Sequence, residues 1–173
     1  KVALDTDDGH EIVLSVLRPG DLIGEFEAVD HDGGTRTASN VALEAVDTRV
    51  MTGEDFRCYL ESHPGAALAL LRAIIHRLRN ADQRRIDSGS RDTVRRLAHL
   101  LAELADEHGR VTSAGIDIDI PLTQQELASL IASSRESIVR SLRSLRSRRL
   151  VTTARRRITI RDLAGLRREA DGQ

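Results

Sequence analysis

Arg135, Glu136 and Arg140 open the run SRESIVRSLRSL, whose apolar residues Ile138, Val139, Leu142 and Leu145 fall on one helical face. Between them project Arg135, Glu136, Ser137, Arg140, Ser141 and Ser144. An arginine fork donates well to guanine O6 and N7, and a glutamate accepts from cytosine N4. Just upstream, Thr123 and Glu126 form a T-x-x-E capping box at the start of a shorter helix. Leu127, Leu130 and Ile131 give that helix an apolar face at i, i+3 and i+4. Ser133 and Ser134 mark the turn between the two and supply a second N-cap. Two short helices in this order present the second one to the major groove of duplex DNA. The same pattern also describes two amphipathic helices of any α domain with a solvated arginine face.

The residues that follow extend the cationic surface. Arg148 and Arg149 suit the negative end of the second helix. Two β-branched runs, Leu150–Thr153 and Ile158–Ile160, flank the turn Ala154–Arg157, which predicts a hairpin. Arg155, Arg156 and Arg157 sit at its tip, a position from which they would grip phosphates. Between residues 123 and 161 there are ten arginines and only two acids, Glu126 and Glu136. Non-specific attraction to a polyanion needs such a field.

The elements that must position these groups are readable across the chain. Its 173 residues suffice for one large domain or two small ones. The formal net charge of −1 hides an asymmetry: residues 1–60 hold thirteen acids against five bases. That division predicts two modules, one of which meets nucleic acid. Val2–Leu4, Glu11–Leu17, Ala38–Ala45 and Thr48–Met51 read as short strands of a barrel or sandwich. The chain opens at Lys1 inside the first of these runs, so the barrel is expected to lack its N-terminal part. Thr52 caps a short helix over Glu54–Glu61, and Pro64 opens a long one reaching about Asp87. Leu68, Leu71, Ile75 and Leu78 are spaced as an a/d seam, for a dimer or for packing on the chain's own barrel. Ser88-Gly89-Ser90 is expected to break the helix as a hinge.

Residues 92–108 form an amphipathic helix with Val94, Leu97, Leu100, Leu101 and Leu104 inward and Gly109 as C-cap. Ile116, Ile118 and Ile120 alternate with Asp117 and Asp119 as a half-buried strand. Helix, strand, helix, helix and hairpin make a winged helix. The single cysteine, Cys58, excludes an internal disulfide and reads as a small buried residue. No run has transmembrane length and no signal peptide is visible, so the expected location is the cytoplasm. The six histidines show no metal-ligand spacing, and no nucleophile–base pair or P-loop is readable. Neither a metal site nor an enzyme is expected.

This order of parts resembles the Crp–Fnr family of the cyclic-AMP receptor proteins, over nearly the whole chain. The likeness is carried by SSRESIVRSL and by the frame RPGDLIGE…RTA. It implies an α+β fold: a partial cyclic-nucleotide-binding-type β-barrel (1–62), a long dimerisation helix with hinge (63–90) and a winged helix-turn-helix (91–173). It implies a homodimeric transcription regulator on a pseudo-palindromic duplex, with RNA polymerase as a further partner. By the resemblance Arg135, Glu136 and Arg140 read bases, while Thr123, Ser134, Ser137 and Arg155–Arg157 meet the DNA backbone. Gly24, Glu25, Arg36 and Thr37 match the ends of the family's phosphate-binding cassette, for cyclic AMP or another cyclic nucleotide. In that cassette the Glu holds the ribose 2′-OH and the Arg pairs with the phosphate.

Besides a spacing to Arg36 one residue longer than the family's, three departures matter. Glu27 stands where the cassette has a small residue. Ala81 and Asp82 align where cyclic-AMP binders carry a Thr followed by a Ser or Asn. Ala132 stands where the turn usually has Gly. The first two oppose a bound phosphodiester, because a nearby carboxylate repels it and must be desolvated or protonated. A cyclic-nucleotide-binding module acting on a protein partner is the alternative function.

Overall fold

The computed structural model describes residues 1–6, 11–29, 38–90, 92–118 and 120–172, with only the backbone described at 80 and 82–90. The N-terminal part holds β1 (Val2–Asp5), β2 (Glu11–Ser15), the short helix α1 (Glu25–Val29) and β3 (Ser39–Asn40). Then come α2 (Gly53–Ser62) and α3 (Pro64–Ser90). The strands pair antiparallel in the order β2-β1-β3, with Ala3 opposite both Val13 and Ser39.

Much of the expected barrel does not pair. Of Ala38–Ala45 only Ser39 and Asn40 join a ladder, and Thr48–Met51 runs outside any strand, with Val50 90% exposed. A β-branched run becomes a strand only where a neighbour offers its N–H and C=O groups. Cys58, expected inside, is exposed on α2. The long helix takes in Ser88 and Gly89 and ends at Ser90, the last residue of the expected break, and the next helix takes Asp92 as N-cap. Glycine and serine in a helix cost up to about 1 kcal/mol each, far less than a proline.

The C-terminal part follows as α4 (Thr93–His108), β4 (Gly109–Thr112), β5 (Gly115–Ile118), α5 (Gln124–Leu130) and α6 (Arg135–Ser147). It closes with β6 (Val151–Ala154), β7 (Arg157–Ile160) and α7 (Leu163–Asp171). Leucines and isoleucines from the helices and from β7 build its core: Leu97, Leu101, Leu127, Ile138, Leu145, Ile160 and Leu166 are each under 2% exposed. Burial of each such side chain contributes about 1.5–3 kcal/mol. The sheet runs β4-β5-β7-β6, all antiparallel. Gly109 ends α4 as expected, but for another reason. Its φ is −78°, not left-handed, and a Cβ there would lie 2.1 Å from the Ala105 carbonyl oxygen. Asp117 keeps its place in the alternation but is buried on its own face of the sheet, where it accepts from Thr159 Oγ1 at 2.7 Å. Its neighbour Asp119 lies outside the described residues.

The two parts touch. Val13 of β2 is 2% exposed within the same apolar cluster as Leu97 and Leu127. Lys1 Nζ donates to Glu11 at 2.5 Å and to Glu126 of α5 at 2.6 Å. Burial pushes the Glu126 carboxyl up, but the Lys1 ammonium and the Thr123 N–H outweigh it and hold the group below the usual carboxylate range.

Candidate nucleic-acid interface

Reciprocal capping fixes the start of α5. Thr123 Oγ1 accepts from Glu126 N at 3.2 Å, and Glu126 accepts from Thr123 N at 2.7 Å. At the other end the chain turns through Ala132, whose φ is +48°. Ser133 N donates to the Ala128 carbonyl at 2.9 Å, and Ser134 then caps α6 by accepting from Ser137 N at 3.2 Å. The left-handed turn that glycine usually serves is thus made by alanine, at roughly 1–2 kcal/mol. Ala132→Gly is expected to raise the stability of the fold by about 1 kcal/mol, after the greater freedom of glycine in the unfolded chain is deducted. Urea midpoints of the two proteins measure it, and an unchanged or lower midpoint would mean that the turn carries no such strain.

One residue that braces this turn is not marked by the sequence pattern. Arg96 of α4 donates from Nη1 to the Ile131 carbonyl, the C-cap of α5, at 3.0 Å. Its Nε is buried without a partner. The signal in the sequence is faint: an arginine beside buried Leu97 in an otherwise ordinary amphipathic helix.

With Ile138, Leu142 and Leu145 buried, α6 turns Arg135, Glu136 and Arg140 outward, and all three are exposed. Ser141, expected to project with them, is buried at 2%. A hydroxymethyl is small enough to lie between packed helices. Arg140 Nη2 donates to Ser137 Oγ at 2.8 Å. A groove beside Arg140 is lined by Ser137, Ser141 and Ser144 of α6 and by Asp92, Thr93 and Val94 at the start of α4.

The β6–β7 hairpin forms around the expected turn, with Ala154 opposite Arg157. Arg155, Arg156 and Arg157 are exposed at its tip, and Arg156 has φ +55°. Arg149, between α6 and β6, has φ +59°. All ten arginines from Arg135 to Arg161 are exposed. Thr123 and Ser134 are exposed and Ser137 half-buried, at the starts of α5 and α6.

The cassette is only partly in view. Gly24 has φ +82°, and Glu25 opens α1 at 6% exposure. The Glu25 carboxylate pairs with Arg77 of α3, whose Nη2 also donates to the Leu22 carbonyl at 3.0 Å. Nothing in the sequence pattern marks Arg77, although it lies one helical turn before Ala81. Glu27 is half-buried on α1 and Ala81 is exposed on α3. Arg36, Thr37 and the side chain of Asp82 lie outside the described residues. Leu68, Leu71, Ile75 and Leu78 are 55, 52, 38 and 60% exposed, so the apolar seam faces away from the chain's own sheet. Among the described residues no helix is long and apolar enough to cross a membrane, and no group of three or more His, Cys, Asp or Glu residues stands ready to hold a metal ion.

Residues 95–169 match the Crp-like helix-turn-helix domain, and residues 1–63 match the cyclic nucleotide-binding domain. The CRP-like cAMP-activated global transcriptional regulator of Mycobacterium tuberculosis is 28% identical over 170 residues, covering 98% of this chain and 75% of that protein. The global nitrogen regulator of a Synechocystis species is 27% identical, over 91% of this chain and 70% of that protein. A solved CRP-family transcriptional regulator from Thermus thermophilus superposes with a TM-score of 0.68 at 26% identity, covering 98% of this chain and 82% of that one.

Proposed function

Since this chain belongs to the Crp–Fnr family of DNA-binding transcriptional regulators, we propose that it reads a pseudo-palindromic duplex as a homodimer. One observation carries this reading: Arg135, Glu136 and Arg140 project outward from the first turns of a capped α6, beside an arginine-tipped wing. Recognition helices contact base edges from that end. Residues 1–62 serve as the effector module, 63–90 as the dimer helix and hinge, and 91–173 as the DNA-binding module. Arg135 and Arg140 take guanines and Glu136 a cytosine. Thr123, Ser134, Ser137 and Arg155–Arg157 take backbone phosphates. The protein works in the cytoplasm with RNA polymerase as a partner.

For the effector, Gly24, Glu25, Arg36 and Thr37 favour a cyclic phosphodiester, while Glu27 and Asp82 oppose it. A like charge about 4 Å from the phosphate costs about 4 kcal/mol at an effective dielectric of about 20, enough to offset one good arginine contact. Arg77 already neutralises Glu25 within the protein. DNA binding therefore does not depend strictly on cyclic AMP.

The test is a salt titration of DNA binding by the intact protein, with and without cyclic AMP. Binding is expected without the nucleotide and falls steeply with salt. Replacing any one of Arg155, Arg156 or Arg157 by Ala lowers affinity about uniformly across sequences and reduces the salt slope by about one. Binding that appears only with cyclic AMP would return the protein to cyclic-AMP control. An unchanged slope would turn the wing away from DNA.

A further inference from the structure

The end of α6 that faces DNA carries a short relay of hydroxyls. Ser134 Oγ, the helix cap, donates to Ser137 Oγ at 3.1 Å. The same Ser134 oxygen accepts from Ser137 N at 3.2 Å, so both hydroxyls are tied to the first helical turn. Ser137 Oγ also accepts from Arg140 Nη2 at 2.8 Å. A serine hydroxyl has two acceptor sites and one proton. Both acceptor sites of Ser137 are thereby used within the protein, which leaves its proton to donate.

We propose that Ser137 is a positioning residue for Arg140: its hydroxyl, anchored by the N-cap Ser134, holds the Arg140 guanidinium over the reading face before DNA arrives. The inference rests on the reading of Arg140 as a base contact and adds a specificity role to a residue otherwise assigned to a phosphate. An exposed arginine has many rotamers, and ordering it on binding costs free energy that pre-organisation removes. The guanidinium has five N–H donors, so one bond to Ser137 leaves two parallel donors for guanine O6 and N7. The Ser137 proton still serves a phosphate oxygen, so the two roles coexist. Ser141 and Ser144 line the same groove. Ser141 is 2% exposed and held in the helix packing, which leaves Ser137 as the hydroxyl bonded to Arg140.

A double-mutant cycle tests this on the full chain. The probes are a duplex selected from a randomised pool by the unmodified protein and variants of it changed at the base that Arg140 reads. Ser137→Ala is expected to lower discrimination at that base by about three- to tenfold, and Ser137→Thr to retain it. In an Arg140→Ala background, Ser137→Ala should cost no further discrimination. The Ser134 cap accepts from a backbone N–H that the alanine variant keeps, and equal thermal midpoints would verify that both variants fold. If Ser137→Ala instead weakens all sequences equally, and by the same factor with or without Arg140, it contacts phosphate alone and the positioning role is overturned. If Arg140→Ala itself weakens selected and scrambled DNA alike, base reading by Arg140 fails, and the positioning role falls with it by a separate and recognisable result.

Discussion

Leu71→Glu is expected to yield monomers in sedimentation and to weaken binding to a two-half-site duplex by about 100- to 10,000-fold. The 27 residues of α3 span about 40 Å, more than the small three-stranded sheet beside them can cover. The helix packs on α2 and reaches α1 through Arg77, yet Leu68, Leu71, Ile75 and Leu78 stay at least 38% exposed. Spaced 3, 4 and 3 along the helix, they form a stripe that a second copy would cover by two-fold symmetry. Leu71 lies in the middle of the stripe, so a carboxylate there would be desolvated against its own symmetry mate. Burying an unpaired charge costs far more than the seam gains from one leucine. The effect on DNA follows from linkage. Two reading heads on one body make the second contact intramolecular, which raises affinity by about 10²–10⁴, and a monomer loses that factor. The half-sites should lie about 34 Å apart, one turn of the duplex. A Leu71→Glu protein that sediments as a dimer would show that the seam is not the interface.

Local chemistry decides what is legible in the sequence. The capping box at Thr123 and Glu126, the Ser134 cap and the i, i+3, i+4 leucines all act within one or two turns, and the structure has each of them. The same holds for the hairpin, where a two-residue turn sets the register. Features that depend on distant partners do not show in the pattern. Asp117 reads as solvent-facing because the hydroxyl that satisfies it when buried, that of Thr159, lies 42 residues away. Glu25 finds Arg77 across 52 residues. The run at 48–51 has strand composition but no neighbouring ladder. Helix α7 is hidden, since Gly165 interrupts an already charged run. That glycine is needed by packing: a Cβ would lie 2.4 Å from Asp162 Oδ2 and 2.7 Å from Leu150 Cδ2. Residue type places Cys58 inside and Ser141 outside, and each goes the other way because the helix face, not the type, decides burial.

Arg140→Ala is expected to weaken binding to the selected duplex by about 1–3 kcal/mol per half-site and to relax preference at one base pair in each. Binding to scrambled DNA should change far less. The loss comes from the discrimination that a bidentate arginine provides and a methyl group cannot replace. It should not come from the fold, because Arg140 is exposed and α6 is held by Ile138, Leu142 and Leu145 on the opposite side. Exposed substitutions of this kind usually change stability by less than about 0.5 kcal/mol. In a two-fold complex both half-sites lose the contact, so the effect on the whole site is roughly doubled. The contrast with the wing makes the assignment testable. Removing Arg155, Arg156 or Arg157 should take away a charge from the backbone and cost every sequence alike, whereas removing Arg140 should cost mainly the sequences with its guanine. A scan of single base-pair changes against both proteins distinguishes the two. A flat loss across the scan would make Arg140 another phosphate contact, leaving Arg135 and Glu136 to carry the reading.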